Sequence, residues 1–298
     1  MKSHLNLFAT VLTHAAPSAN YRGESEENRT VLQKITKGRH EYVVVSPESM
    51  RNALRDMLAA KGLPHNRTRL HEEDQLAVEF KDYPDAQAYA DDFLFGYMVA
   101  TKEDSAVMKK KQRPAKRDSV LRLNMAVATT PYRFNATLHQ SPLNAGKSPW
   151  KNASTSALLH REVVHTAYQF PFALALADCA KGDLKWTAAL LQAFGELSNV
   201  AGNHARSYFE MAPQSIVARL TPSLVAGFNT YGFDEQGGFV DLSRIHEQDL
   251  PGDQFWIGGE LARSLATNAK SALTSAGVHF FDSPQRLLAE LSKQALGV

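Results

Sequence analysis

The sequence is poor in cysteine, in long apolar runs and in the short motifs that mark common enzyme families. Its single cysteine, Cys179, excludes an internal disulfide framework and a thiolate zinc site, and it favours a reducing compartment. No apolar run approaches the roughly 20 residues that a membrane-spanning helix needs, and polar breaks near the N-terminus argue against a signal peptide. We therefore expect a cytoplasmic protein without membrane contacts.

Motifs for cofactors and metals are also missing from the sequence. It contains no phosphate loop, no dinucleotide fingerprint and no Gly-x-Ser-x-Gly elbow. His160 and His165 are five residues apart, so on a strand they would point to opposite faces. Asp91 and Asp92 are adjacent and would diverge by about 100° on a helix, which favours a solvated helix face over a metal-binding acid pair. We predict no cofactor and no metal.

The composition is that of an ordinary globular protein, but its charge is unevenly distributed. Of the 298 residues, 44% are hydrophobic and 21% are charged, which suits one large domain or two small ones. Residues 1–162 carry 24 Lys and Arg against 18 Asp and Glu, whereas residues 163–298 carry 9 against 13. This asymmetry suggests either a face that binds polyanions or a head-to-tail partner of opposite sign.

Apolar spacing predicts the main secondary-structure elements. Loose alternation predicts strands over residues 4–12 and 165–177. Spacing of three and four residues predicts helices over residues 84–98, 184–200, 258–276 and 284–295.

A further helix with a basic side is predicted to begin at Ser46. The Ser46 side chain can cap free amide groups, and Pro47 suits the first helical position. Arg51 and Arg55 are four residues apart and would form one ridge beside the apolar face. They are either exposed helix residues without a binding role or part of a phosphate-binding surface.

The strongest local signal is a run of six cations within ten residues. The run comprises Lys109, Lys110, Lys111, Arg113, Lys116 and Arg117. Such a run is either a solvated surface loop or a phosphate contact, because Lys and Arg displace the counterions condensed on nucleic acids.

Aromatic residues stand among cations in the polar stretch 129–157. Tyr132, Phe134 and Trp150 have Arg133 and Lys147 close by in sequence. Exposed aromatic rings among cations are what single-stranded nucleic acid requires, since bases stack and phosphates pair. Taken together with the two basic features, they favour nucleic acid as the ligand.

The order of these features resembles a known family. The relevant pieces are a polar loop with Asn20 and Arg22, the segment Ser46-Pro47-Glu48-Ser49-Met50-Arg51-Asn52-Ala53-Leu54-Arg55, the segment Asp91-Asp92-Phe93-Leu94-Phe95-Gly96-Tyr97-Met98, the segment Lys116-Arg117-Asp118-Ser119, and the segment Ala201-Gly202-Asn203-His204-Ala205-Arg206. They resemble the DevR-like crRNA-binding backbone subunit of type I CRISPR surveillance (Cascade) complexes, in the RAMP superfamily, and most closely its I-A/I-B branch.

The resemblance implies an α+β, hand-shaped protein. Its palm would be a modified RRM-like (ferredoxin-like) fold made of residues 1–62 and 158–298. A finger domain would be inserted at 63–130, and a thumb loop would occupy 131–157. The partners implied are crRNA, target DNA paired through the crRNA, copies of the same chain in a head-to-tail stack, and other Cascade subunits.

The resemblance also implies roles for particular residues. Asn20, Arg22, Ser46, Arg51 and Arg55 would grip the RNA backbone, and Phe134 or Trp150 would wedge at a flipped base. Lys109, Lys110, Lys111, Arg113, Lys116 and Arg117 would lie near the guide or the target strand.

No catalytic residue is expected. Related subunits that cut RNA use an aspartate in an early palm loop, and residues 14–30 contain no Asp. The alternative is an endoribonuclease that processes repeat RNA, with His14, His139 or His160 as general base. A DNA-binding regulator is a third possibility, which the lack of a duplex-binding motif disfavours.

Overall fold

The structure is a computed structural model that describes residues 4–19, 25–26, 29–71, 76–140, 158–200 and 210–298. The strands are β1 (Asn6–Thr13), β2 (Ala16–Ala19), β3 (Ser25–Glu26), β4 (Arg29–Thr30), β5 (Lys34–Lys37), β6 (His40–Val45), β7 (Arg67–His71), β8 (Leu76–Phe80), β9 (Tyr97–Met98), β10 (Lys116–Arg117), β11 (Leu121–Leu123), β12 (Ala126–Ala128), β13 (Ala136–Gln140), β14 (Leu158–Thr166), β15 (Tyr168–Ala175), β16 (Pro213–Thr221), β17 (Phe255–Gly259) and β18 (His279–Phe281). The helices are α1 (Pro47–Ala60), α2 (Ala90–Phe95), α3 (Lys102–Lys110), α4 (Leu176–Cys179), α5 (Leu184–Gly195), α6 (Leu242–His246), α7 (Glu260–Ser264), α8 (Thr267–Ser275) and α9 (Pro284–Leu296).

A nine-stranded sheet forms the centre of the molecule, in the order β18-β17-β16-β1-β15-β12-β6-β5, with β11 also paired to β15. The first strand, β1, is antiparallel to both β15 and β16, so that Phe8 lies opposite Ala173 on one side and Arg219 on the other. Alternate residues of β1 enter two different cores, because successive side chains of a strand point to opposite faces. Leu7 belongs to one core, and Leu12 belongs to the other. The mixed α+β class expected from the sequence is confirmed.

Helices α1, α5 and α9 cover one face of this sheet. Their apolar residues at helical spacing, such as Leu54, Phe194 and Leu291, are fully buried in the larger core. Phe194 stacks on Phe172 of β15 with ring centroids 4.1 Å apart, which ties α5 to the sheet. Burying side chains of this size stabilises the fold by about 1.5–3 kcal/mol each.

The other face carries a second core under residues 222–250. Phe228, Phe233 and Phe239 pack there with Phe255 of β17. None of the helices in the described ranges is long and apolar enough to cross a membrane.

The chain leaves the large sheet between α1 and β11, and we call residues 64–119 the inserted segment. It contains the antiparallel pairs β7–β8 and β9–β10 together with α2 and α3. Strands β11 and β12, which lie within the range 63–130 expected for a finger, pair in the large sheet. Strand β13 pairs with β14 in a smaller five-stranded sheet that also includes β2, β3 and β4.

Three of the expected elements differ in the structure. The helix expected over 84–98 is confined to α2, because Gly96 follows it with φ +68° and the chain continues as β9. The strand expected over 165–177 is divided between β14 and β15 and ends in α4. The helix expected over 258–276 begins only after β17 and is broken into α7 and α8. The strand near the N-terminus and helices α5 and α9 are confirmed.

Candidate nucleic-acid interface

Helix α1 begins as its sequence predicts. Ser46 is the N-cap residue, and its side-chain oxygen accepts a hydrogen bond from the Ser49 backbone N–H at 3.2 Å. Arg51 and Arg55 lie one turn apart, beside the face that Met50 and Leu54 bury. Both arginines are half-buried and line a cleft, so the interpretation of them as ordinary exposed helix residues is wrong.

The cleft brings together five arginines that are scattered over 72 residues of the sequence. Its volume is about 510 Å³. The lining residues are Glu48, Arg51, Asn52, Arg55, Arg67, Phe95, Gly96, Tyr97, Met98, Arg117, Asp118, Ser119 and Arg122. Five guanidinium groups thus face two carboxylates, which leaves an excess of positive charge. We call this the arginine cleft.

Neutral groups hold the arginines in place. The Arg55 guanidinium lies 4.7 Å from the centroid of the Phe95 ring and donates a hydrogen bond to Asn52 Oδ1 at 2.8 Å. Arg67 lies over Phe80 at 4.9 Å and donates to the Gly96 carbonyl oxygen at 3.3 Å. These contacts orient the guanidinium groups without neutralising their charge.

Within the described ranges, none of the five cleft arginines forms an ion pair with a carboxylate within 4.0 Å. The Nε atoms of Arg51 and Arg55 are buried and have no hydrogen-bond partner among the residues that the structure describes. A buried donor without an acceptor costs about 1–3 kcal/mol. A phosphate oxygen in the cleft would supply the missing acceptor.

Burial and like charges both destabilise the positive charge of the cleft. Burial, together with the positive charges of Arg67 and Arg51, lowers the pKa of Arg55 to about 9, although Asp91 and Asp92 oppose the shift. Burial also lowers the pKa of Arg51, where Glu48 opposes the shift and Arg122 adds to it. The charged forms therefore lack stabilisation that a bound anion would provide.

A buried hydrogen-bond network around Asp91 and Asp92 holds the backbone next to the cleft. Asp91 accepts hydrogen bonds from the backbone N–H groups of Asn66 and Arg67, both at 2.9 Å. Asp92 Oδ2 accepts from the Asn66 side-chain amide and from the Asp85 N–H, again at 2.9 Å. Asp91 and Asp92 are buried, so the prediction of a solvated helix face is wrong. Burial raises the pKa of Asp92.

The basic run does not act as one surface. Lys109, Lys110, Lys111 and Lys116 are exposed, whereas Arg113 pairs with Asp85 at 2.7 Å and also donates to the Tyr83 carbonyl oxygen. Only Arg117 lines the cleft, where it lies 4.7 Å from the centroid of the Phe93 ring.

The aromatic residues of the stretch 129–157 are placed only in part. Phe134 is 59% exposed, with the Arg29 guanidinium 5.6 Å from its ring centroid. Tyr132 is half-buried below the Lys34 ammonium, at 4.1 Å. Trp150, Asn20 and Arg22 lie outside the described residues.

Close to Tyr132, a buried carboxylate neutralises two cations. Glu162 of β14 accepts hydrogen bonds from the Leu32 N–H at 3.0 Å and from Lys34 Nζ at 2.9 Å, and Arg29 Nε lies 3.7 Å away. Burial alone would raise the pKa of Glu162, but the Leu32 and Lys34 hydrogen bonds lower it. We call these four residues the Glu162 cluster.

A second large cavity has a different chemistry. It has a volume of about 660 Å³ and lies between the β5–β6 hairpin and residues 231–236. Its charged lining consists of Lys37, Asp234 and Glu235, so it carries no excess of positive charge. The arginine cleft is the better candidate for a polyanion.

Sequence reasoning missed Arg67 and Arg122 as members of the cleft. A signal was available for Arg122, because it stands between Leu121 and Leu123 on a strand and must point away from the core. Nothing local marks Arg67, whose backbone N–H is held by the buried Asp91, 24 residues further along the chain.

The fold and site define a mixed α+β protein with a cationic cleft. Solved structures share this fold: a chain of "CRISPR RNA-guided surveillance complex, pre-nicking" has a TM-score of 0.63 at 11% identity, covering 98% of this chain and 100% of its own. A chain of "CRISPR RNA-guided surveillance complex" has a TM-score of 0.57 at 12% identity, with the same coverage.

Sequence comparison gives the family. The CRISPR-associated protein Cas7/Cst2/DevR of Myxococcus xanthus (strain DK1622) is 31% identical over 290 residues, which cover 92% of this chain and 93% of that protein. No family model matches the chain. The chain belongs to the Cas7/Cst2/DevR family of CRISPR-associated proteins, and the resemblance predicted from its sequence is confirmed.

Proposed function

We propose that this chain is a crRNA-binding backbone subunit of a type I CRISPR surveillance (Cascade) complex. In this role it binds the sugar-phosphate backbone of the guide and presents the bases for pairing with target DNA. The observation that carries the proposal is the arginine cleft, whose five guanidinium groups lack carboxylate partners within the described ranges. Membership of the Cas7/Cst2/DevR family supports the same function.

The chemistry of the cleft fits a carrier of arbitrary guide sequences. Planar guanidinium groups bind phosphate oxygens in a bidentate manner, and such contacts carry no base information. A subunit that leaves sequence reading to base pairing needs contacts of this kind. Arg51 and Arg55 would contact the phosphates directly, and Ser46 would fix the start of the helix that carries them.

The proposed architecture follows the family resemblance. The large sheet with α1, α5 and α9 would be the RRM-like palm, the inserted segment the finger, and the region around β13 the base of a thumb that continues through 141–157. Phe134 or Trp150 would serve as the wedge at a flipped base. Copies of the chain would stack head to tail along the crRNA beside other Cascade subunits.

Binding without catalysis fits the site better than the endoribonuclease alternative. His14, His139 and His160 are all exposed, and none of the cleft-lining residues is a histidine. His139 hydrogen-bonds through Nε2 with Thr137 on its own strand. A general base must lie within hydrogen-bond reach of the 2′-hydroxyl whose proton it removes. No candidate histidine lines the cleft in which we place the RNA.

Sedimentation of the purified protein with a length series of single-stranded RNA tests this function. We expect the mass to grow by one protomer per fixed increment of nucleotides, independently of sequence. One protomer on one repeat hairpin, together with cleaved RNA, would instead identify a processing enzyme. A single metal-independent cut that disappears on one His→Ala change would assign the base.

A further inference from the structure

The arginine cleft is also a boundary between two parts of the molecule. Arg67 of β7 and Arg117 of β10 belong to the inserted segment. Arg51 and Arg55 of α1 and Arg122 of β11 belong to the part built around the large sheet. Positive charge therefore faces positive charge across the boundary.

The contacts that dock the inserted segment are mainly apolar. Phe93, Leu94 and Phe95 of α2 are buried in the larger core, and the Phe93 ring lies 5.9 Å from that of Trp186 on α5. The Asn66, Asp91 and Asp92 network does not cross the boundary, because all of its hydrogen bonds stay within residues 66–92. The apolar docking of α2, the Arg55–Phe95 ring contact and the attraction of Arg55 to Asp91 and Asp92 thus oppose the repulsion between Arg55 and Arg67.

We infer that the arginine cleft is an anion-dependent joint, in which phosphate groups bound between the two sets of arginines stabilise the docking of the inserted segment. An anion placed among like charges replaces their repulsion with attraction to a shared partner. It also gives acceptors to the buried Nε atoms of Arg51 and Arg55. In the complex, these phosphates would be those of the guide RNA, so the inference deepens the proposed function and rests on it for the natural ligand.

The ligand chemistry is that of closely spaced phosphates. Five guanidinium groups line a cleft of about 510 Å³, which offers more positive charge than one phosphate group neutralises. Successive phosphodiesters of single-stranded RNA bring several negative charges into one cleft, and inorganic tripolyphosphate supplies linked phosphate charges without a sugar or a base. Tripolyphosphate is therefore the probe.

For one substitution, the inference predicts two opposite changes. The anion-free protein should become more stable, and the stabilisation that tripolyphosphate provides should become smaller. Arg122 is exposed, has no hydrogen-bond or ring partner within the described ranges, and lines the cleft with Arg67 and Arg117 of the inserted segment, so Arg122→Gln weakens the repulsion across the boundary without breaking a contact. We expect Arg122→Gln to raise the Tm of the anion-free protein by about 1–2 °C and to reduce the rise in Tm that tripolyphosphate produces. The matched control is Arg286→Gln, which alters an exposed arginine on α9 and should change neither value.

Hydrogen exchange locates the effect. Tripolyphosphate should increase the protection of amides in α2, β9 and β10 more than that of amides in α9. Equal gains in both places would overturn the joint, since the anion would then stabilise the whole fold. A lower Tm for anion-free Arg122→Gln would also overturn it, and so would an unchanged response to tripolyphosphate.

These outcomes separate the joint from the proposed function. If tripolyphosphate acts through Arg122 but single-stranded RNA does not bind, the joint stands and the proposed function fails. If RNA binding depends on Arg51 and Arg55 while Arg122→Gln lowers the Tm of the anion-free protein, the function stands and the joint fails.

Discussion

The arginine cleft and the Glu162 cluster both gather positive charge at partly buried positions, but only one of them neutralises it. In the Glu162 cluster, the carboxylate lies 2.9 Å from Lys34 Nζ and 3.7 Å from Arg29 Nε. In the arginine cleft, the nearest partners are aromatic rings and amide oxygens. A cation with its own carboxylate holds the fold together, whereas an oriented cation without one is available to a ligand. The comparison predicts which substitutions weaken binding and which weaken the fold.

The sharpest test removes the two cleft arginines of α1. We expect Arg51→Ala with Arg55→Ala to weaken single-stranded RNA binding by at least about 100-fold, since each charged hydrogen bond contributes about 1.5–3 kcal/mol. The slope of log K against log salt should fall in magnitude by about 1.4, because two phosphate contacts are lost. Fluorescence anisotropy over a salt series measures both quantities. The double variant Arg39→Ala with Arg286→Ala is a matched control on exposed arginines.

The Arg51→Ala, Arg55→Ala variant should lose little unfolding free energy, because it gives up the Phe95 ring contact and the Asn52 hydrogen bond of Arg55 but leaves no carboxylate without its ion-pair partner. An unchanged salt slope would count against phosphate contact by these residues. A large loss of stability would break the comparison, because the arginines would then be structural.

Glu162→Gln is expected to do the reverse: it should destabilise the fold and leave RNA binding unchanged. The glutamine keeps an acceptor for the Leu32 N–H but removes the negative charge beside Lys34 and Arg29. Breaking a buried ion pair costs about 3–5 kcal/mol, and partial exposure of both cations reduces this to about 2 kcal/mol. Urea unfolding measures the loss. A variant as stable as the original protein would show that the cluster is not structural.

The pH dependence of that loss gives a further test. The pKa of Glu162 is lowered in the folded protein, while that of an unfolded glutamate is about 4.3. Its stabilising contribution is therefore present above about pH 4.3 and is lost as the pH falls through the folded-state pKa. The difference in unfolding free energy between the original protein and Glu162→Gln should shrink on acidification through this window. A constant difference would mean that the charge of Glu162 is not what stabilises the fold.

Local sequence patterns predict helix α1, which carries two of the cleft arginines, but they do not predict how the cleft is assembled. The Ser46 cap and the four-residue spacing of Arg51 and Arg55 are local, and the structure agrees with both. The burial of Asp91 depends on amide groups 24 and 25 residues earlier in the chain, which no local pattern reveals.

The clustering of cations along the sequence does not predict where cations cluster in the folded protein. The basic run places six cations within ten residues, yet only Arg117 of the run reaches the cleft. The other four cleft arginines lie outside that run and converge with Arg117 only in the folded chain.

The smallest effect on RNA binding is expected for the lysines of the basic run, although that run is the strongest local signal in the sequence. Lys109, Lys110 and Lys111 are exposed at the end of α3, where solvent and salt screen their charge. We expect the triple change of these residues to Gln to weaken RNA binding by less than about 5-fold at low salt and to have no effect near 0.5 M salt, where the Debye length is only about 4–5 Å. A triple variant that binds as weakly as the Arg51 and Arg55 variant would place the main RNA contact on the exposed run. Half-burial and the lack of a carboxylate partner would then not be what distinguishes a binding cation in this protein.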